Sequence, residues 1–352
     1  MQYCRLLSLA LALLSAPALA QSPEALDYFR TGYDLVKKGN YRNAAIELEK
    51  AVEVDSTYGN AHYVLGISYK ALNEYDKAIA SFTAAHALGT KPEKSAKALA
   101  QLYKKAALNS FRQKKYNEVI TYLTDSQELG VLDAQSLYIM GLSYSGLREK
   151  DKAAMAYAEA ITADPTDARP YNALGDIQRL NRDYGRSVVT YQRSIEADPT
   201  YMESYGDLAR VKFNTDDIEG VVPLLQNALK IDDTYAEGHR LLGIALNQLG
   251  RFHEAIAPLN KAADLDKDYC ETHYRLGEAH YGMGNFRQAV EYGRRATSCQ
   301  ADYRAAEVLL GDAHFQLGQR KEARRWYNLA VNDSRYKDYA ASKLAEIDEQ
   351  PQ

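Results

Sequence analysis

Seven histidines, His62, His86, His239, His253, His273, His280 and His314, are the side chains best suited to metal or acid–base chemistry in this chain of 352 residues. A metal site would need several of them at about 2 Å from one ion. His239 and His273 stand 34 residues apart, as do His280 and His314, and no HExxH pair occurs. The chain has no GxSxG, no CxxC and no glycine-rich phosphate loop. The acid pairs Asp216-Asp217 and Asp232-Asp233 fall at predicted helix boundaries, where capping and dipole compensation account for them. No enzyme activity, no metal and no cofactor is therefore expected. The densest charged run is basic: Lys91, Lys94, Lys97, Lys104, Lys105, Arg112, Lys114 and Lys115, opposed only by Glu93. It reads as the solvated face of a long helix, or as a patch for an anionic partner or lipid headgroups.

Composition narrows the class. The chain is 46% apolar with three cysteines, which argues against disorder and against a disulfide scaffold. Its 43 Lys+Arg against 47 Asp+Glu give a net charge of -4, so nucleic acid is not an expected partner. No apolar run reaches the roughly 18 residues of a membrane span, so no stable membrane insertion is expected. Residues 1–20 read as a signal peptide: Arg5, an apolar core from Leu6 to Ala16, and Ala18-Leu19-Ala20 as cleavage site. Gln21 would begin the mature chain, exported to the periplasm or beyond. Cys4 lies ahead of the apolar core, so no lipid anchor is expected.

The elements that must position any site repeat. A small residue recurs at Gly32, Gly66, Ala107, Gly141, Gly175, Ala209, Gly243, Gly277 and Gly311, spaced by 34 except for one interval of 41. Nineteen residues after each stands Ala or Ser: Ala51, Ala85, Ser126, Ala160, Ser194, Ala228, Ala262, Ala296 and Ala330. The clearest copies read YNALGDIQ with SVVTY and DPT (Tyr171 to Thr200), and HYVLGISY with AIASF (His62 to Phe82). This pattern resembles the tetratricopeptide repeat family over residues 25–337. The resemblance implies an all-α, right-handed superhelical solenoid of nine helix–turn–helix units. They are 25–58, 59–92, 100–133, 134–167, 168–201, 202–235, 236–269, 270–303 and 304–337. Residues 93–99 are inserted, and 338–352 form a capping helix and tail. Small residues at repeat positions 8, 20 and 27 let the two helices approach closely. The insert predicts a long first helix in the third unit, from Pro92 to about Lys114. Pro223 and Pro258 fall inside second helices and predict kinks.

Antiparallel pairing brings the start of a unit's first helix near the end of its second. Cys270 opens the eighth unit and Cys299 closes its second helix, which predicts a disulfide in an oxidising compartment. Two separate thiols are the alternative, because side-chain directions are not readable from sequence.

In proteins of the family, positions 2, 5, 9, 12 and 13 of the first helix line a concave groove that binds peptides and helices. The first four units place Phe29, Tyr33, Tyr63, Ile67, Leu108, Phe111, Tyr138 and Leu142 there, rimmed by Lys37, Lys70, Lys104 and Arg112, with no acid among these positions. The last five are mixed and charged, with Arg210, Glu237, Arg240 and Glu271 among them. The family's Lys/Asn carboxylate clamp is absent, since Leu108 and Ile139 stand where asparagines are needed. The expectation is a non-catalytic interaction scaffold of the bacterial envelope holding a partner protein's segment, with self-association open. Two alternatives stand beside it. Tyr63, Tyr138, Tyr274 and Tyr281 could stack glycan or peptidoglycan, and tight curvature could bury positions 9 and 12 between units.

Overall fold

A computed structural model describes residues 21–349. The expected signal peptide, 1–20, lies outside the described residues. These form nineteen helices and no strand. The chain divides into two compact units, one ending at Ala163 and one beginning at Asp164.

The first unit holds α1 (Pro23–Lys37), α2 (Tyr41–Val54), α3 (Gly59–Ala71), α4 (Tyr75–Ala87), α5 (Pro92–Arg112), α6 (Tyr116–Glu128), α7 (Ala134–Gly146) and α8 (Lys150–Ala163). The second holds α9 (Ala168–Leu180), α10 (Tyr184–Ala197), α11 (Met202–Asn214), α12 (Ile218–Ile231), α13 (Ala236–Gln248) and α14 (Phe252–Leu265). It continues with α15 (Cys270–Gly282), α16 (Phe286–Cys299), α17 (Arg304–Gln316), α18 (Arg320–Ala330) and α19 (Lys337–Glu349). Odd-numbered helices up to α17 are the first helices of nine pairs, and even-numbered ones are the second. Each packs on its partner, and each second helix within a unit also packs on the next first helix.

In six of the nine pairs the glycine at position 8 faces one large side chain, at position 24 of the same pair. A Cβ on Gly32, Gly66, Gly141, Gly175, Gly243 or Gly311 would stand only 2.3–2.9 Å from a carbon of Leu48, Phe82, Tyr157, Tyr191, Leu259 or Tyr327 respectively. The six large residues are at most 1% exposed. The glycine column thus records a knob seated on a bare helix surface.

Between pairs, an aspartate and a threonine close the turn. Asp55, Asp164, Asp198 and Asp232 each accept bonds from the backbone N–H and hydroxyl of the threonine two residues on, at 2.6–3.0 Å. These bonds hold the Asp198 and Asp232 carboxyls below the usual range.

Within pairs, position 15 is left-handed every time: Gly39, Asn73, Lys114, Arg148, Arg182, Asp216, Gly250, Gly284 and Gly318 have φ of 58–76°. That conformation ends α5 at Arg112, short of Lys114. It is costly for a side chain bearing Cβ. Arg148→Gly is expected to stabilise the first unit by about 0.5–1 kcal/mol, and Gly250→Ala to destabilise the second by a similar amount. Urea midpoints moving in the same direction, or not at all, would refute this.

α5 starts at Pro92 and absorbs the inserted residues into its first two turns, where Ser95, Ala96 and Leu99 are buried. α12 and α14 continue as single helices through Pro223 and Pro258.

Candidate functional site

The groove residues expected from sequence all lie on first helices of the first unit, but their exposure differs from the expectation. Only Tyr33 is an exposed large apolar side chain, at 42%. Phe29, Tyr63, Ile67, Leu108, Phe111, Tyr138 and Leu142 are half-buried. The cause is the second helix of each pair and the chain's own turns. Tyr63 meets the Phe82 ring edge-on at 5.6 Å and lies under Lys91 Nζ at 4.6 Å. Phe111 packs against Tyr116 at 6.0 Å, and Tyr138 against Tyr157 at 5.8 Å. Phe29 stacks on Tyr33 at 5.8 Å and tilts onto buried Tyr58 at 4.9 Å. Ile67 leans on the core of α2–α5, and Leu108 on that of α5–α8.

The cations divide into tied and free. Lys37 pairs with Asp34 at 3.2 Å and lies 4.4 Å above the Tyr33 ring. Lys70 donates to Gln101 Oε1 at 2.7 Å and Lys104 to Asp133 Oδ2 at 2.7 Å, so both reach across to the following repeat. Burial alone would raise Asp133, but bonds from Lys104 and Ser136 outweigh it and hold the carboxyl below its ordinary range. Lys70 stays exposed despite its bond, and Arg112 is exposed with no ion pair among the described residues. The three first helices α3, α5 and α7 together carry one carboxylate, Glu93, against Lys70, Lys94, Lys97, Lys104, Lys105 and Arg112.

The second unit turns its charge inward. Asn172 donates to Asp207 at 3.1 Å, and Asp207 pairs with Arg210 at 2.8 Å. Arg210 reaches Glu237 of the next repeat, and Arg240 spans Glu237 and Glu271 at 3.4 and 3.2 Å. Arg275 closes the series on Glu271 and Glu278 at 2.8 and 2.9 Å. Burial raises the Asp207 carboxyl above its ordinary value. Sequence reading identified Arg210, Glu237, Arg240 and Glu271 but not the links from Arg210 to Glu237 and from Arg240 to Glu271, whose partners lie about one repeat apart in the chain. The tyrosines considered for glycan stacking are engaged as well. Tyr274 donates to Glu278 at 2.6 Å and meets Tyr303 at 5.3 Å, and Tyr281 packs on Phe286 at 5.3 Å.

Among the described residues no cluster of three or more His, Cys, Asp or Glu could hold a metal ion. His62 and His239 place Nε2 at 3.0 Å from the carbonyls of Ser56 and Asp233, so they tie down the turn preceding their helix. Burial pushes His273 and His280 down. Among the described residues no helix is long and apolar enough to cross a membrane. The structure joins Cys270 to Cys299, with Cα atoms 5.5 Å apart.

Family models of the tetratricopeptide repeat match residues 29–92, 138–201 and 274–340. Another, described as TPR repeat, matches residues 245–284. They span more than half of the chain, which belongs to the tetratricopeptide repeat family. Its fold is accordingly an all-α solenoid of such units. No curated protein matches it significantly. Among solved structures, the C-terminal part of a TPR repeat-containing protein from Cytophaga hutchinsonii is 14% identical, with a TM-score of 0.55 over 68% of this chain and 98% of that one. Pseudomonas aeruginosa PilF is 15% identical, with a TM-score of 0.50 over 59% of this chain and 97% of its own. PilW, described as a widely conserved type IV pilus biogenesis factor, is 14% identical, with a TM-score of 0.50 over 61% and 97%. At these identities the likeness is one of fold.

Proposed function

We propose that this chain is a non-catalytic protein–protein interaction scaffold of the bacterial cell envelope, exported by residues 1–20. It holds a peptide or helix of a partner protein on the first-helix face of its first unit. The observation that carries this reading is the chemistry of α3, α5 and α7. Half-buried Tyr63, Ile67, Leu108, Phe111, Tyr138 and Leu142 provide apolar ground, exposed Lys70 and Arg112 rim it, and the three helices hold one carboxylate between them. Half-burial suits this use, because an anchor already held by its neighbours loses little side-chain entropy on binding. The fitting segment is amphipathic and acidic or neutral.

The test uses protein recovered from the periplasmic fraction, whose intact mass should begin at Gln21. Tyr33→Ala and Arg112→Ala alter exposed residues and should leave melting unchanged. Phe111→Ala should lower it modestly. All three are expected to weaken recovery of one identified envelope partner, the aromatic positions by about 2 kcal/mol each. Recovery unchanged in these variants but abolished by Arg210→Ala and Arg240→Ala would place the site in the second unit. Recovery lost after glycan digestion would replace the protein partner with a glycan.

A further inference from the structure

The last two second helices differ from the other seven. α16 carries Arg287, Arg294 and Arg295 against Glu291, and α18 carries Arg320, Lys321, Arg324 and Arg325 against Glu322. Earlier second helices show no such excess. α6 has three carboxylates and no cation, and the most basic of the rest, α10, has two arginines and one glutamate. The excess is local, since acidic residues outnumber basic ones in the whole chain.

Geometry places these charges outward. At 100° per residue, Arg287, Glu291, Arg294 and Ser298 share one stripe, about 16 Å long. With Val290, Arg295 and Cys299 they line a shallow, open depression. Lys321 and Arg325 of α18 occupy the repeat positions that Arg287 and Glu291 occupy in α16. Arg287, Arg294, Arg295, Lys321 and Arg325 are all exposed. Arg295 pairs with Glu291 at 2.5 Å and Arg325 with Glu322 at 3.9 Å, but such solvated pairs hold their partners weakly. Arg287, Arg294 and Lys321 have no ion pair among the described residues. The inward faces of both helices are fully buried, with Ala289, Ala296, Ala323, Tyr327 and Ala330 at 0% exposure. Core packing therefore accounts for none of the outward arginines. On α18, Leu329 is 44% exposed, and the Arg325 guanidinium lies 5.7 Å over the Trp326 ring.

We propose that the outer face of α16 and α18 docks on an anionic lipid surface. The array is broad and its depression shallow and open, a surface for a layer of charges rather than a cleft that seats side chains. Its free cations match a layer of phosphate headgroups. An exposed apolar side chain beside arginines, as Leu329 is on α18, suits the boundary between headgroups and acyl chains. This proposal is independent of the first-helix face.

The test is sedimentation of the mature chain with phosphatidylcholine vesicles, with and without about 30% phosphatidylglycerol, to supply the negative surface potential that attracts basic segments. Binding is expected to need phosphatidylglycerol and to weaken with salt. The combined variant Arg287→Gln, Arg294→Gln, Lys321→Gln is expected to lose about fivefold per cation removed, roughly 100-fold in all, with its melting unchanged. Lys94→Gln with Lys97→Gln, on α5, should leave vesicle binding intact. Equal binding to neutral vesicles, full affinity in the triple variant, or loss in the α5 variant would each overturn the proposal. So would soluble polyglutamate binding as tightly as the vesicles, which would mark the face as a site for an acidic protein.

Discussion

Reducing the Cys270–Cys299 disulfide is expected to destabilise the unit beginning at Asp164 by about 2–4 kcal/mol, on the order of 10 °C in melting temperature. The bridge closes a sequence separation of 29 residues and ties the start of α15 to the end of α16. Its position answers a local deficit. Eight pairs have a large side chain at position 24 seated on the small residue at position 8. The eighth pair has glycine at both, Gly277 and Gly293. The space over them is filled from the following helix, by Leu309 against Gly277 and Leu310 against Gly293. α15 and α16 therefore lack the position-24 side chain that the other eight pairs share, with His280 stacked on Tyr292 at 5.2 Å between them, and the covalent bond adds a tie at the end opposite their turn. Because repeat arrays are stabilised by nearest-neighbour contacts, the loss should spread to α14 and α17 but no further. Hydrogen exchange with and without reductant should show fast exchange confined to that stretch. Unchanged melting on full reduction would refute the compensation.

The 34-residue period was readable because close helix approach tolerates few residue types at positions 8, 20 and 27. The cysteine pairing was readable for a related reason: once the pairs are drawn antiparallel, positions 1 and 30 must be neighbours. The left-handed position 15 was not readable, because Gly, Asn, Lys, Arg and Asp all occupy it and no residue type marks it. Nor was the half-burial of Tyr63, Phe111 and Tyr138. The periodicity of a first helix fixes the angle at which a side chain leaves it. It says nothing of Phe82, Tyr116 and Tyr157, which lean over from elsewhere. The series linking Arg210, Glu237, Arg240 and Glu271 was hidden for the same reason, since each cross-repeat link depends on the spacing between successive first helices.

Tyr191→Ala is expected to cost the second unit about 3–5 kcal/mol, the scale for truncating a fully buried aromatic. The ring is 0% exposed, and a Cβ on Gly175 would stand 2.7 Å from its Cε1. Its hydroxyl donates to Asp176 Oδ1 at 2.9 Å and accepts from Arg179 Nε at 3.3 Å, while Arg179 pairs with Asp176 at 2.8 Å. Truncation would open a cavity and remove the hydroxyl that both charged groups share. Tyr191→Phe separates the two losses. It keeps the ring and should cost about 1.5–3 kcal/mol, the scale for a hydrogen bond to a charged group. A more specific result follows from the chain's own pairs. Where position 8 is alanine, at Ala107 and Ala209, position 24 is leucine, Leu123 and Leu225. Where position 24 is tyrosine or phenylalanine, position 8 is always glycine. Gly175→Ala should therefore cost about 1–3 kcal/mol by overpacking against the ring. Combined with Tyr191→Leu, it should cost clearly less than the two single changes added together, because an alanine–leucine combination at these positions is the one the chain itself uses at Ala107–Leu123 and Ala209–Leu225. Urea unfolding of the four proteins in this cycle measures the coupling. Strict additivity would mean that position 8 does not read position 24, and that the glycine column has some other cause.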